Sequence, residues 1–425
     1  MAVLLSVLYL LLFDPARLFR NPAPDFSHLA SHCAHVQPIP ADSFVARQDT
    51  LARTLHELGA AAYIAEPGAN AAFYANLSGS AWHLSERPLL FILTPSVDDN
   101  NRIVANISVL TPSFEATRAK LLPLPSAADV TYPEWPEDAD PYQVAVSAIP
   151  GLKSGTIFID GAMRTFVADG LQKAVGGGHK VVSAPVEVKR LRERKSTEEI
   201  EIMKCANEVT LLSIRAAAEE MYIGIHESEA RALVANALTS AGLKDVSVIS
   251  LFGPNAALPH GSGTDRTLAK EDFVLVDCGG SLHGYVSDVT RTFALEDSRI
   301  PAEHLDIWML VWEAQGIALA TAFNGTITAD VDRAARVTIE TGGYGEYFTH
   351  RLGHGIGLEG HESPYLRGGS DDIILTGHSF SDEPGVYIEG KVGVRLEDCF
   401  YIDENGRPVL LTAGVGAPST TPWDI

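Results

Sequence analysis

Two segments of this chain place acids in pairs on apolar strands. Phe273-Val-Leu-Val-Asp277 ends in a carboxylate, and after Cys278-Gly279-Gly280 the chain returns through Tyr285-Val-Ser-Asp288-Val-Thr-Arg-Thr-Phe293. A hairpin turning at Leu282-His283 sets Asp277 and Asp288 side by side. The arrangement recurs in Glu383-Pro-Gly-Val-Tyr-Ile-Glu-Gly390 followed by Lys-Val-Gly-Val-Arg395-Leu-Glu397. Here Glu383 and Glu397 are symmetric about Gly390, and Arg395 shares the strand face of Glu397. Opposed like charges destabilise a sheet, and a buried pair needs protons or cations to neutralise it. Between the hairpins lies His350-Arg-Leu-Gly-His354-Gly-Ile-Gly-Leu-Glu-Gly-His361-Glu362, with imidazoles among glycines that permit close backbone approach; a further His260 lies upstream. Four carboxylates and an imidazole suit divalent Mn²⁺, Co²⁺, Fe²⁺ or Zn²⁺. Their charge matches two such ions, and ions roughly 3.5–4 Å apart can hold a bridging hydroxide and stabilise a hydrolytic transition state.

Other chemistries lack their residues. There is no His-Glu-x-x-His zinc motif, and Gly353-His-Gly-Ile-Gly357 has neither the Lys-Ser/Thr of a phosphate loop nor dinucleotide-binding spacing. His260-Gly-Ser262-Gly is not a nucleophile elbow, and Ser262 reads as a loop residue. Four cysteines without a Cys-x-x-Cys pair make neither a disulfide scaffold nor a zinc ribbon, although one or two disulfides stay open. Cys278 and Cys399 flank the acid-bearing strands and read as packing residues, since oxygen and imidazole already complete the site.

The elements that must carry these residues fall into two blocks. At 425 residues the chain is long enough for two or three domains. With 32 Lys+Arg against 54 Asp+Glu, its net charge of −22 repels phosphate backbones and argues against nucleic-acid binding. Residues 39–185 alternate strand and helix: helical spacing over Ser43–Leu58, Tyr142–Ala148 and Arg164–Val175, and strand runs at Ala61–Ala65, Pro88–Leu93, Ile103–Leu110 and Thr156–Ile159. That pattern predicts an α/β domain with a surface loop over its Pro-rich middle, Leu122–Pro141. Val186–Lys195 (VEVKRLRERK) reads as a solvated linker at the boundary. Ser196 then caps a long helix, with Glu199 completing a capping box and a core stripe through Ile200, Met203, Ala206, Leu211 and Ile214. A second helix, His226–Ala241, ends at Gly242. Residues 186–425 form the second block, which carries the paired acids. Residues 1–38 are an apolar segment and linker. Their run Ala2–Phe13 has signal-peptide length but no preceding basic residue and no clean cleavage site, so a secretory or membrane-anchored origin and a cytoplasmic one both stand open. Sequons at Asn76, Asn106 and Asn324 fit the first.

At VDCGG, SDVTRTF, HRLGHGIGLEGHE, EPGVY and GVRLED the sequence resembles the pita-bread metallopeptidases of family M24, in particular the Xaa-Pro dipeptidases (prolidases) and Xaa-Pro aminopeptidases (aminopeptidase P). The resemblance covers Glu187 to about Leu411. It implies an α+β architecture, with a C-terminal pita-bread domain behind a smaller α/β creatinase-type domain. It also implies metal ligands Asp277, Asp288, His354, Glu383 and Glu397, with Asp288 and Glu397 bridging and Mn²⁺ foremost among the candidate ions. Glu383 would shuttle a proton, His260 and His361 would bind substrate and stabilise the tetrahedral intermediate, Arg395 would orient it, and His350 would line the pocket. Ser381-Asp382 departs from the uncharged pair common in the family and is expected to tune the site. The implied reaction is hydrolysis of Xaa-Pro bonds in di- or oligopeptides by a metal-bridging hydroxide, in a homodimer or larger assembly. A non-catalytic binding protein on this fold and a methionine-type aminopeptidase are the alternatives. The intact ligand set weighs against the first, and the sizeable N-terminal domain with Arg395 and His260 weighs against the second.

Overall fold

The computed structural model describes residues 24–152, 155–261 and 263–425; the apolar run Ala2–Phe13 and Ser262 lie outside these. Four apolar runs of the N-terminal domain become β1 (Ala60–Ala65), β2 (Leu90–Val97), β3 (Ile103–Pro112) and β5 (Gly155–Ile159), whereas β4 (Glu134–Trp135), inside the Pro-rich stretch read as a surface loop, and β6 (His179–Ser183) fall outside the expected runs. Among the described residues they form one sheet in the order β4-β3-β2-β1-β5-β6. The helices Ala41–Glu57, Pro141–Ser147 and Thr165–Val175 correspond to the helical periodicities. Two apolar clusters, one with Leu51, Tyr63 and Phe91 and the other with Ile64, Ile92 and Leu171, form its core.

Val186–Lys195 corrects the reading of a solvated linker. It opens with the helical turn Val186–Lys189, and Val188 joins the N-terminal core. The Lys195 ammonium is buried and donates to Glu362 Oε1 at 2.6 Å and to the carbonyls of Arg192 and Glu193. Arg192 pairs with Glu359 and Glu362. Basic residues at a domain junction can fold back onto carboxylates of the second domain, and no local pattern reveals this. Arg47 and Glu199, which also accepts from the Tyr285 hydroxyl, form a second link between the domains.

In the C-terminal domain, Ser196 and Glu199 close the expected capping box at the start of helix Thr197–Glu219. Helix Glu227–Ser240 follows, ending just before Gly242 at φ 92°. Phe26, Leu29 and Cys33 pack into the core between these helices and the sheet behind them. Cys33 is disulfide-bonded to Cys205, whereas Cys278 and Cys399 are free and buried. A second helix pair, Ala302–Leu319 and Thr328–Thr341, covers the other half. Among the described residues, no helix is long and apolar enough to cross a membrane.

The strands between the helix pairs are β7 (Lys244–Phe252), β8 (Val274–Leu282), β9 (Tyr285–Val286), β10 (Val289–Phe293), β11 (Gly353–Gly355), β12 (Glu362–Leu366), β13 (Ser379–Asp382), β14 (Gly385–Ile388), β15 (Val392–Arg395), β16 (Asp398–Ile402) and β17 (Pro408–Leu410). They form β10-β8-β7, with β9 on β8; β12-β11-β13-β16-β17; and the ribbon β14-β15. The second acid hairpin turns where its symmetry predicts. Gly385 pairs with Arg395 and Asp382 with Asp398, a single register about Gly390 that puts Glu383 opposite Glu397. The first hairpin differs from expectation. It turns at His283-Gly284, both at positive φ (50° and 88°), so that Asp277 pairs with Thr290 and Asp288 lies two residues along, on the same face. A two-residue hairpin loop with left-handed backbone at both central positions is one that Gly284 adopts freely and Leu282 would resist.

Candidate metal centre and catalytic cleft

The two hairpins meet through an isolated bridge between Thr290 and Glu397. Residues 249, 277, 290 and 397 thereby line up across the strands, continuing to Glu383 by the register of the second hairpin. The Thr290-Arg291-Thr292 segment grips the other hairpin at every step. Thr290 Oγ1 donates to Glu397 Oε2 at 2.6 Å, Arg291 donates to the Glu397 carbonyl and to Asp398 at 2.7 Å each, and Thr292 Oγ1 donates to the Arg395 carbonyl at 2.8 Å. Behind the first hairpin, Asn207 Oδ1 accepts from the Asp288 backbone N–H at 3.2 Å.

His354 stands on β11, where space is tight: a side chain at Gly353 would put its Cβ 2.1 Å from the Ser381 carbonyl oxygen. Its Nδ1 donates to the Gly355 carbonyl at 3.1 Å, which leaves Nε2 as the free ligand atom. That Nε2 lies 3.2 Å from Glu383 Oε1 and 3.8 Å from Asp288 Oδ2. Two three-residue groups, His354/Glu383/Glu397 and Asp277/Asp288/Glu397, have ligand atoms within 4.8 Å of one another and share Glu397. A third, Asp288/His354/His361, brings in His361. The donor set fits divalent cations: four crowded carboxylates have few cationic partners, with Arg395 Nη2 on Asp277 Oδ2 at 2.6 Å. Burial and then the charges of Glu397, Asp277 and Glu383 push the Asp288 carboxyl well above its ordinary range. Burial likewise raises Glu383 and Glu397, with Arg395 opposing in both. Such a cluster ionises fully only when positive charge enters it.

A cavity of about 990 Å³ opens over these residues and is also lined by His260, His350, His361 and Arg395. His260 and His361 are exposed on its wall, and the His361 ring centroid is 4.1 Å from that of His354. Burial, then the neighbouring His354, lowers the His361 imidazole to about 4, so it is neutral at pH 7. His350 differs in having both nitrogens engaged. Nδ1 donates to the Arg351 carbonyl at 2.6 Å, and Nε2 accepts from the Tyr387 hydroxyl at 2.8 Å. Tyr387 in turn accepts from Arg395 Nη1 at 3.1 Å, so His350 holds the guanidinium in place through a tyrosine.

Sequence reasoning missed Thr290, Asn207 and Tyr387, whose roles depend on distant partners. Ser381-Asp382 gains a specific meaning. Ser381 Oγ donates to Glu383 Oε1 at 3.2 Å and accepts from the His354 N–H at 3.1 Å, orienting two of the site residues. Asp382 is buried opposite Asp398, neither of its carboxylate oxygens has a hydrogen-bond partner, and burial followed by Asp398 pushes its carboxyl well up.

This fold and site define a metallo-exopeptidase, a hydrolase acting on peptides. Residues 201–404 match metallopeptidase family M24. An uncharacterised peptidase of Schizosaccharomyces pombe is 37% identical over 419 residues, covering 96% of this chain and 90% of that protein. Among solved structures, the dipeptidase PepE of Mycobacterium ulcerans superimposes with a TM-score of 0.79 at 28% identity, covering 90% of this chain and 98% of that one. A prolidase of Thermococcus sibiricus does so with a TM-score of 0.75 at 27% identity, covering 88% and 98%. The chain belongs to metallopeptidase family M24 and has its pita-bread fold behind an α/β N-terminal domain.

Proposed function

We propose that this chain is a two-metal exopeptidase that hydrolyses Xaa-Pro bonds of short peptides, with Mn²⁺ as the first candidate ion. The observation that carries the reading is the pair of ligand groups sharing Glu397. Asp277, Asp288, His354, Glu383 and Glu397 would hold two divalent cations, which when bound supply Lewis acidity and a water activated at neutral pH. Glu383, ionised once cations enter the cluster, takes the proton of the attacking water. It then delivers that proton to the proline nitrogen as the C–N bond breaks. His361, neutral and exposed in the cleft, donates its N–H to the carbonyl oxygen as negative charge develops there. Arg395, held by Tyr387 and Asp277, orients the substrate. A proline nitrogen has no N–H to satisfy, so a cleft that reaches the substrate through its carbonyl and its termini loses nothing on this bond.

The test is hydrolysis of Ala-Pro, Ala-Pro-Pro and Ala-Ala by chain stripped with chelator and reloaded with Mn²⁺. Metal-dependent cleavage of the two proline substrates above Ala-Ala supports the reading, and equal or absent cleavage refutes it. Preference between dipeptide and tripeptide separates dipeptidase from aminopeptidase P. A homodimer belongs to the same proposal and is read from light scattering in solution. Of the two origins, the Cys33–Cys205 disulfide and the exposed Asn76, Asn106 and Asn324 favour the secretory route.

A further inference from the structure

A second cavity, of about 520 Å³, lies between the two domains. Tyr63, Tyr74 and Asp160 line it from the N-terminal domain, and the start of β12 lines it from the other. Asp160 is its unusual residue. It is only 8% exposed, yet no Lys, Arg or His lies at ion-pair distance among the described residues. Its Oδ1 accepts from Asn70 Nδ2 at 2.9 Å and from the Ala162 N–H at 3.0 Å, whereas Oδ2 has no hydrogen-bond donor among the described residues. The other buried carboxylates of the lining each hold a cation: Glu66 pairs with Arg164 at 2.6 Å, and Glu362 with Lys195 at 2.6 Å. Arg192, the one guanidinium in the lining, is taken up by Glu359 and Glu362.

Two tyrosines share the condition of Asp160. Tyr63 and Tyr74 are each 2% exposed, with ring centroids 5.8 Å apart. Neither hydroxyl makes a hydrogen bond among the described residues, and neither is sealed inside protein, so both open onto the cavity. Burial raises both phenols, and the negative charge of Asp160 adds to this in each, so the carboxylate lies close to both hydroxyls. A buried carboxylate without a counter-charge is costly, and buried hydroxyls ordinarily find partners. Here three such oxygens, one of them charged, face one space. An ammonium group brings positive charge and three N–H donors with no acceptor, which is the complement of that set, and tyrosine faces favour a cation. A water's share of liquid volume is about 30 Å³, so the cavity has room for far more than a bare cation.

We infer that the interdomain cavity binds a small organic ammonium ion through Asp160 and the hydroxyls of Tyr63 and Tyr74. Two sources offer that group, a free amino acid and a simple amine. The site is separate from the metal centre, although His361 lines both cavities. It does not depend on the peptidase reading.

The test is calorimetry on metal-loaded full chain with L-alaninamide, L-alanine and N-acetyl-L-alaninamide. Alaninamide should bind, and N-acetylalaninamide, which has no ammonium, should not. D160N and Y63F/Y74F should each weaken alaninamide binding about tenfold or more. Alanine bound as tightly as alaninamide assigns a free amino acid, and alaninamide alone assigns a simple amine. Because the two hydroxyls have no partner in the fold, unliganded Y63F/Y74F should melt no lower than wild type. A lower melting temperature would show that they serve the fold and would overturn the inference. So would equal binding of N-acetylalaninamide, binding of neither ammonium compound, or alaninamide binding that persists in both folded variants and so belongs elsewhere, such as the metal centre. Ala-Pro hydrolysis by the same samples is a separate outcome, and its failure sinks the peptidase reading without touching this site.

Discussion

Glu362 tests how the domain junction supports the cleft. It follows His361 directly, and its carboxylate is almost fully buried against the Lys195 ammonium, with side-chain exposures of 4% and 2%. Glu362→Gln keeps the shape and still offers Lys195 an acceptor, but it leaves a buried ammonium without a counter-charge. Breaking a buried pair from one side costs about 3–5 kcal/mol, against about 0–1 kcal/mol for an exposed pair. Lys195→Met should cost less, because Glu362 then keeps Arg192, whose Nη2 lies 3.3 Å from Oε2. The double variant should cost less than the sum of the two. Urea unfolding followed by tryptophan fluorescence measures all three. Because Glu362 starts β12 directly after His361, Glu362→Gln should also raise the KM for Ala-Pro. A loss below about 1 kcal/mol for Glu362→Gln, or a larger loss for Lys195→Met, would refute the account of this junction as a buried, asymmetric ion pair.

The carboxylate row predicts an unusual pH dependence. Glu383 and Glu397 are raised from 4.5 to about 7 and about 8 in the folded chain, so the folded state binds more protons than the unfolded one across that window. Thermal stability of chelated chain should therefore fall as pH rises from about 4.5 to 8, and Mn²⁺ should raise the melting temperature more at pH 8 than at pH 5; the opposite trend would contradict the buried row. Thr290→Val removes the 2.6 Å hydrogen bond to Glu397 and should weaken Mn²⁺ binding about 10–100-fold by calorimetry, with an unchanged affinity counting against an orienting role. Asp288→Asn should remove metal and activity while circular dichroism stays native, and retained hydrolysis would exclude it as a bridging ligand. In denatured, unreduced protein two of the four thiols should react, those of Cys278 and Cys399; four reactive thiols would remove the argument for an oxidising compartment.

The legible part of this protein lies in short segments. Ser196 and Glu199 announce their capping box, because both groups act within one helical turn. Gly390 sets the register that opposes Glu383 and Glu397, because a hairpin's pairing follows from where it turns. The acids themselves, on apolar strands with glycine-flanked histidines, already call for protons or cations to neutralise them. Even at short range the reading slips where backbone conformation decides: His283-Gly284, not Leu282-His283, can take two positive φ values, and that moves Thr290 opposite Asp277.

Tertiary structure decided what depends on residues far apart in the chain. Thr290 reaches Glu397 across 107 positions, and Lys195 reaches Glu362 across 167. Their types alone predict a polar strand residue and a solvated linker. Which hairpin stacks on which is settled by burying the apolar faces of helices and strands together, and only that stacking tells a threonine or a lysine what it will touch. The four acids of the candidate centre, Asp277, Asp288, Glu383 and Glu397, were therefore local information, while the choice of His354 among the neighbouring histidines came from the family resemblance. The geometry of that centre belongs to the packed domain.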